Sequence, residues 1–254
     1  MKIHKKVSAI MAIYLLTSAS AHSQIGEHRN DFAVGVNGGY VLSNVGFDPS
    51  VSQGYHGGIT GGLSFRYVCE KYFKTICAIQ AEVNYASLGW KEDIKTVNNE
   101  PVINEETGLA EEYSRTINYV QVPMFAHLAW GRESKGANFF VNLGPQFGYY
   151  LSESTTTNFE LSKRNQSLTT GRSNTVVSQD TMSVEKKFDY GIAVGLGVEY
   201  SVPKIGHFQV EARYYYGLGN IYGSSKRDFF GKSNFGNIVI KASYLFDLVR
   251  TRKK

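Results

Sequence analysis

Seven charged residues stand out by where they fall in the chain. Arg66, Glu82, Asp189, Glu199, Glu211, Arg213 and Lys241 each lie on the polar side of a stretch whose other side is apolar. Charges of both signs gathered on one side can carry ions or protons along a path, or they can pair and fill the space. Burial of charge is tolerable only when it is paired and hydrogen-bonded, which favours the filled space. His56, His127 and His207 fall on that same side. An enzyme acting on lipid needs a Ser or His at the lipid interface, and these three point away from it. Cys69 and Cys77 flank a turn, where they could close a disulfide in an oxidising compartment or remain thiols. Two Cys and scattered His give no metal-ligand spacing. The glycine clusters Gly57-Gly58, Gly61-Gly62 and Gly191, Gly195, Gly197 imitate a phosphate loop, but no helix follows them. Within a strand, such glycines make room and permit curvature, and no cofactor is expected.

These residues are positioned by strands. From Phe188 to Val202 the even positions are Phe, Tyr, Ile, Val, Leu, Val, Tyr and Val, while the odd ones are Asp, Gly, Ala, Gly, Gly, Glu and Ser. Successive side chains of a strand point to opposite faces, so this stretch separates two media. The same alternation predicts strands over 32–42, 55–68, 77–90, 117–130, 139–151, 208–218 and 236–248. Pro123 predicts a bulge in the fourth, since proline cannot donate to a ladder. Long connections (43–54, 91–114, 152–187, 220–233) alternate with short ones, such as Gly131 to Gly136 and Pro203 to Gly206. That is the rhythm of an up-and-down antiparallel sheet with its long loops at one end.

The apolar side carries Phe65, Trp130, Phe147, Tyr190, Tyr200, Tyr214, Tyr216, Tyr244 and Phe246, too much volume for the interior of an eight-stranded barrel. Its central spans carry no charge, as lipid demands: a charge facing the middle of a bilayer costs roughly 2–4 kcal/mol. Aromatics gather towards the strand ends, as interfacial girdles do. The expected fold is therefore all-β, an eight-stranded antiparallel up-and-down transmembrane β-barrel, with apolar residues facing lipid and small and charged residues in the lumen. Unpaired strand edges find no water in lipid, so the first and last strands must close on each other.

The N-terminus reads as a secretory signal over 1–23. Lys2, Lys5 and Lys6 precede an apolar run from Val7 to Leu16 and small residues at Ala19, Ala21 and Ser23, with cleavage before Gln24 or after Ala21. The barrel domain then spans 24–254, ending in a basic tail (249–254). The formal net charge is +5. Taking away the three signal lysines leaves +2, and taking away Arg250, Arg252, Lys253 and Lys254 leaves −2. The positive charge belongs to the two ends, so nucleic-acid binding is not expected. No later run approaches the ~18 apolar residues of a membrane helix.

The segments Ile117-Asn118-Tyr119-Val120-Gln121-Val122-Pro123-Met124 and Leu143-Gly144-Pro145-Gln146-Phe147-Gly148-Tyr149, with the closing Tyr244-Leu245-Phe246, resemble the PorT-type "porin family" outer membrane barrels of Bacteroidota. In that family an acid normally stands where this chain has Gln121, and the chain stops at the terminal aromatic. The resemblance implies a cell outer membrane protein with both termini periplasmic and its loops outside the cell. It also implies that Tyr244 and Phe246 form the signal read by the barrel-assembly machinery during insertion. Besides membrane lipid, the expected partners are proteins reached through loops 91–114 and 152–187. The expected role is structural or loop-mediated interaction, without a wide pore. A component of a protein secretion system and a lipid-modifying enzyme are the alternatives.

Overall fold

The computed structural model describes residues 26–104, 106–132, 135–161, 176–223 and 229–250. The signal segment 1–23 and tail residues 251–254 lie outside them. The strands in chain order are β1 (Glu27–Asp48), β2 (Gln53–Gly54), β3 (His56–Tyr72), β4 (Thr75–Glu92), β5 (Tyr113–Gly131), β6 (Gly136–Thr157), β7 (Phe188–Val202), β8 (Gly206–Gly217) and β9 (Lys232–Val249). All ladders are antiparallel. β1 pairs with both β3 and β9, and β4 pairs with β5, so the sheet closes on itself. Eight strands make the wall, and β2 is a short addition paired to the outer end of β4.

Only β7 has the bounds its pattern predicts. The other wall strands differ from their predicted limits, most of them by running further. β1 has 22 residues, about twice the 9–11 that cross a bilayer, so much of it stands beyond any membrane. Once clear of lipid, a strand no longer needs an apolar outer face. The alternation that marked its middle then fades, and the sequence reads as loop.

The two faces are assigned as expected. Ile240 is 58% exposed while its neighbour Lys241 is 2% exposed, and Val198 is 56% exposed beside Glu199 at 4%. A water-soluble barrel would reverse these figures. The outward apolar band is the surface that lipid covers.

Three local expectations are corrected. The register shift in β5 falls between Asn118 and Tyr119, against β6, and not at Pro123. At Pro123 the ladder to β4 is interrupted without a shift, pairing Ala81 with Met124 and resuming at Asn84 with Gln121. A missing donor deletes rungs but need not add a residue. In the β3–β4 hairpin, Tyr67 faces Ile79 and Phe65 faces Ala81, but a shift after Val68 sets Glu70 opposite Cys77. Cys69 therefore has no place across from Cys77, and both are free thiols. The third correction concerns the inner face, read as small residues with a few charges. Towards the long loops it instead carries Val41, Leu88, Trp90, Ile117, Tyr119 and Tyr215, all at most 1% exposed.

The tight β7–β8 turn shows why its residues are chosen. Lys204 has φ 65° and Gly206 has φ 140°. A Cβ on Gly206 would lie 2.4 Å from the carbonyl oxygen of Leu245, so glycine lets β8 start against β9 without a clash.

Candidate functional site

The lumen divides into two layers. The layer nearer the termini is polar, and six of the seven predicted charged residues gather there in two clusters. Glu82 on β4 is fully buried and accepts two parallel hydrogen bonds from the Arg213 guanidinium of β8, both 3.0 Å. Its carboxylate also takes the Lys241 ammonium of β9, the Asn84 amide at 2.8 Å and the Gln80 amide at 3.2 Å. Arg213 turns its remaining edge to Glu211, with Nε to Oε1 at 3.0 Å and Nη2 to Oε2 at 2.9 Å. Its guanidinium carbon lies 4.3 Å from the centre of the Phe125 ring, a cation–π contact. Two cations and two carboxylates thus neutralise one another across the barrel. Bidentate arginine–carboxylate geometry is the form of ion pair best able to repay desolvation.

Closer to the termini, Arg66 pairs through Nη1 with Glu199. Glu199 also receives the Gln209 amide at 2.7 Å and the Ser201 hydroxyl at 3.1 Å, and lies 3.1 Å from Nδ1 of His207. The other ring nitrogen of His207 lies 3.1 Å from Asp247. His127 sits between the two clusters, with Nδ1 2.7 Å from Asn142, which donates to Glu211 of the first cluster at 3.1 Å.

The seventh predicted residue is placed differently. Among the described residues Asp189 meets no cation; it accepts from the Tyr215 hydroxyl at 2.7 Å, in the layer nearer the loops. The alternation placed it inward but could not say at what height. Of the three histidines, His127 and His207 are buried in the lumen. His56 is only half-buried, with Nε2 3.3 Å from Thr116. Gln80, Asn84, Asn142, Gln209 and Asp247 went unnoticed as members of the network. Their inward phase was the available signal, but the four amides do not announce a partner, and Asp247 lies near the end of its strand, next to the tail.

Ser201 Oγ stands 2.8 Å from His207 Nδ1, with Asp247 on the other nitrogen, and this superficially resembles a nucleophile–base–acid triad. Two facts remove the likeness. Ser201 is 1% exposed, so no scissile bond can reach it. Ser201 already donates its hydroxyl to Glu199, which also flanks the imidazole, so the serine proton is directed at a carboxylate and not at the ring.

The layer nearer the loops is an aromatic cap. Phe47 meets Trp90 edge-on at 5.3 Å between centroids, and Phe230 at 4.9 Å, while Tyr222 stacks on Phe230 at 5.7 Å. The long loops take part in it. Arg115 holds Glu153 at 2.7 Å and the Gln179 carbonyl at 3.0 Å, and Gln179 donates to Glu92 at 2.7 Å. Burial pushes the Tyr222 phenol well above the usual tyrosine range, against a smaller opposing pull from Arg115. Val184, Ile221, Tyr222 and Phe230 from loops 152–187 and 220–233 are buried in the cap.

A closed up-and-down ring, apolar outside and charged within, defines a transmembrane β-barrel of the outer membrane type. The outer membrane protein beta-barrel domain matches residues 22–223, and the chain belongs to that family. Among curated proteins none matches. Solved structures similar to the chain include Ail, the attachment invasion locus protein of Yersinia pestis, at 14% identity, covering 87% of this chain and 99% of that one, TM-score 0.34. OprG from Pseudomonas aeruginosa is similar at 11% identity, covering 87% and 98%, TM-score 0.42. Neisserial surface protein A is similar at 12% identity, covering 84% and 96%, TM-score 0.38. Likeness at this level says nothing about a shared role.

Proposed function

We propose that this outer membrane barrel does not conduct and that its role lies in structure and in contacts made by its loops. One observation carries the reading: the lumen is filled at two heights, by the Glu82–Arg213–Lys241–Glu211 cluster and by the Phe47–Trp90–Tyr222–Phe230 cap. Either layer alone would obstruct a narrow barrel. The termini would face the periplasm and the loops the outside of the cell, with 91–114 and 152–187 as the surface for protein partners. Val97, Ile103 and Leu109 are exposed on the first of these, apolar groups of the kind a partner covers. Tyr244 and Phe246 on the last strand would be read by the assembly machinery during insertion.

Planar-bilayer recording tests the closed lumen. The expected trace is silent, and steady nanosiemens-scale conductance would overturn the proposal. The PorT-type resemblance of the strand motifs supports a second reading, membership of a protein secretion complex. Co-purification of a stable set of secretion proteins from solubilised outer membranes would favour that reading over a stand-alone barrel.

A further inference from the structure

Arg66 carries hydrogen-bonding capacity that the ion network does not use. Its guanidinium is about nine-tenths buried and makes one hydrogen bond among the described residues, from Nη1 to Glu199. Its Nε, on the opposite edge, has no partner. Leaving a buried charged donor unmade is costly, so such an edge calls for an acceptor. Nε and Nη2 of an arginine point the same way and match the two oxygens of a carboxylate.

Arg66 lines a pocket at the terminus end of the lumen, where it is joined by Val68, Ile76 and Ala129, by the His207–Asp247 pair and by Asp31, which is itself not free. The acids of the network are committed there. Glu199 takes Arg66, Gln209, Ser201 and His207, and both oxygens of Asp247 lie within 3.2 Å of His207. Arg250 lines the mouth, its Nη1 3.9 Å from Asp247. One wall is therefore apolar, and the other offers an unused guanidinium edge with its neighbouring carboxylates compensated.

We infer that this pocket is a binding site for a small monocarboxylic acid with a short apolar body, its carboxylate held by the Nε–Nη2 edge of Arg66 and its carbon chain against Val68, Ile76 and Ala129. A phosphate dianion fits less well, because the Asp31, Glu199 and Asp247 carboxylates line the same pocket. The site opens at the terminus end, away from the aromatic cap, so binding needs no passage through the barrel and does not depend on the lumen being closed.

The test is a titration of the refolded full-length barrel in detergent micelles, following the side-chain Nε–H resonances of arginine by NMR. Butyrate is the probe and butyramide, its uncharged counterpart, the control. Butyrate should shift the Arg66 resonance saturably, with a dissociation constant on the order of millimolar for so small a ligand. Butyramide should not. Arg66→Lys keeps a positive charge beside Glu199 but has no fork, and should bind about tenfold more weakly or worse, read from the neighbouring His207 resonance. Should that variant fail to fold, Val68→Phe at the half-buried mouth should narrow the pocket and abolish the Arg66 shift. An Arg66 resonance that butyrate leaves unmoved, an equal shift with butyramide, or undiminished binding by Val68→Phe would overturn the assignment.

Discussion

Removing the Glu82 carboxylate should expose how far the lumen depends on compensated charge. In the native barrel it is the acid that Lys241 pairs with and one of two that Arg213 pairs with. In Glu82→Ala, Arg213 keeps both of its bonds to Glu211. Lys241, 2% exposed, loses its carboxylate, and the balanced group of two cations and two acids acquires a net positive charge. Breaking a buried pair from one side costs about 3–5 kcal/mol, since the loss is the stranded charge and not the pair's modest net worth. The assay is reversible urea unfolding of the refolded barrel in lipid vesicles, followed by tryptophan fluorescence. The companion is Glu82→Ala with Lys241→Met, which removes the stranded ammonium and replaces its stem with one of similar length. The double variant should be more stable than the single by about 2 kcal/mol, a coupling of the size expected within one network. The reasoning fails if Glu82→Ala costs less than about 1 kcal/mol, or if the Lys241→Met cost simply adds to it.

Other outcomes follow from the same structure. Trp90→Ala removes the ring that Phe47 meets edge-on and that lies 5.7 Å from Arg115. It should cost about 3–5 kcal/mol and make the long loops of the folded barrel more sensitive to protease, and unchanged cleavage rates would refute a packed cap. Tyr222, with its phenol held above the usual range by burial, should ionise later than exposed tyrosines in an ultraviolet titration. The unfolded chain then releases that proton first, so stability should fall as pH rises past about 10, the ordinary tyrosine value. A Tyr222→Phe variant that leaves this alkaline slope unchanged would count against it. Cys69 and Cys77 should both react with a maleimide in folded protein purified without reductant, whereas a cross-linked peptide of the two would contradict the observed register.

Some features needed no neighbours to be read. The strand Phe188–Val202 has the limits its alternation predicts, because both faces of β7 lie against different media along its whole length. The inward phase of Arg66, Glu82, Glu199, Glu211, Arg213 and Lys241 was legible for the same reason. The aromatic cap was not. Phe47, Tyr222 and Phe230 sit among Gly, Ser, Asn and charged residues in segments that look like solvated loop, and only closure of the ring brings them together.

What the chain determined alone is which side of each strand faces lipid, since that choice is made residue by residue with a period of two. What the tertiary structure decided is which charge meets which. Arg213 reaches Glu82 across 131 residues and Lys241 reaches it across 159, so their pairing depends on the height of each strand in the closed ring. The same stagger sets Asp189 beside Tyr215, with no cation against it among the described residues, and places Arg66, its Nε without a partner, in the lining of the pocket. Strand height is fixed by ladder register summed around the whole barrel, a quantity that no single alternating segment contains.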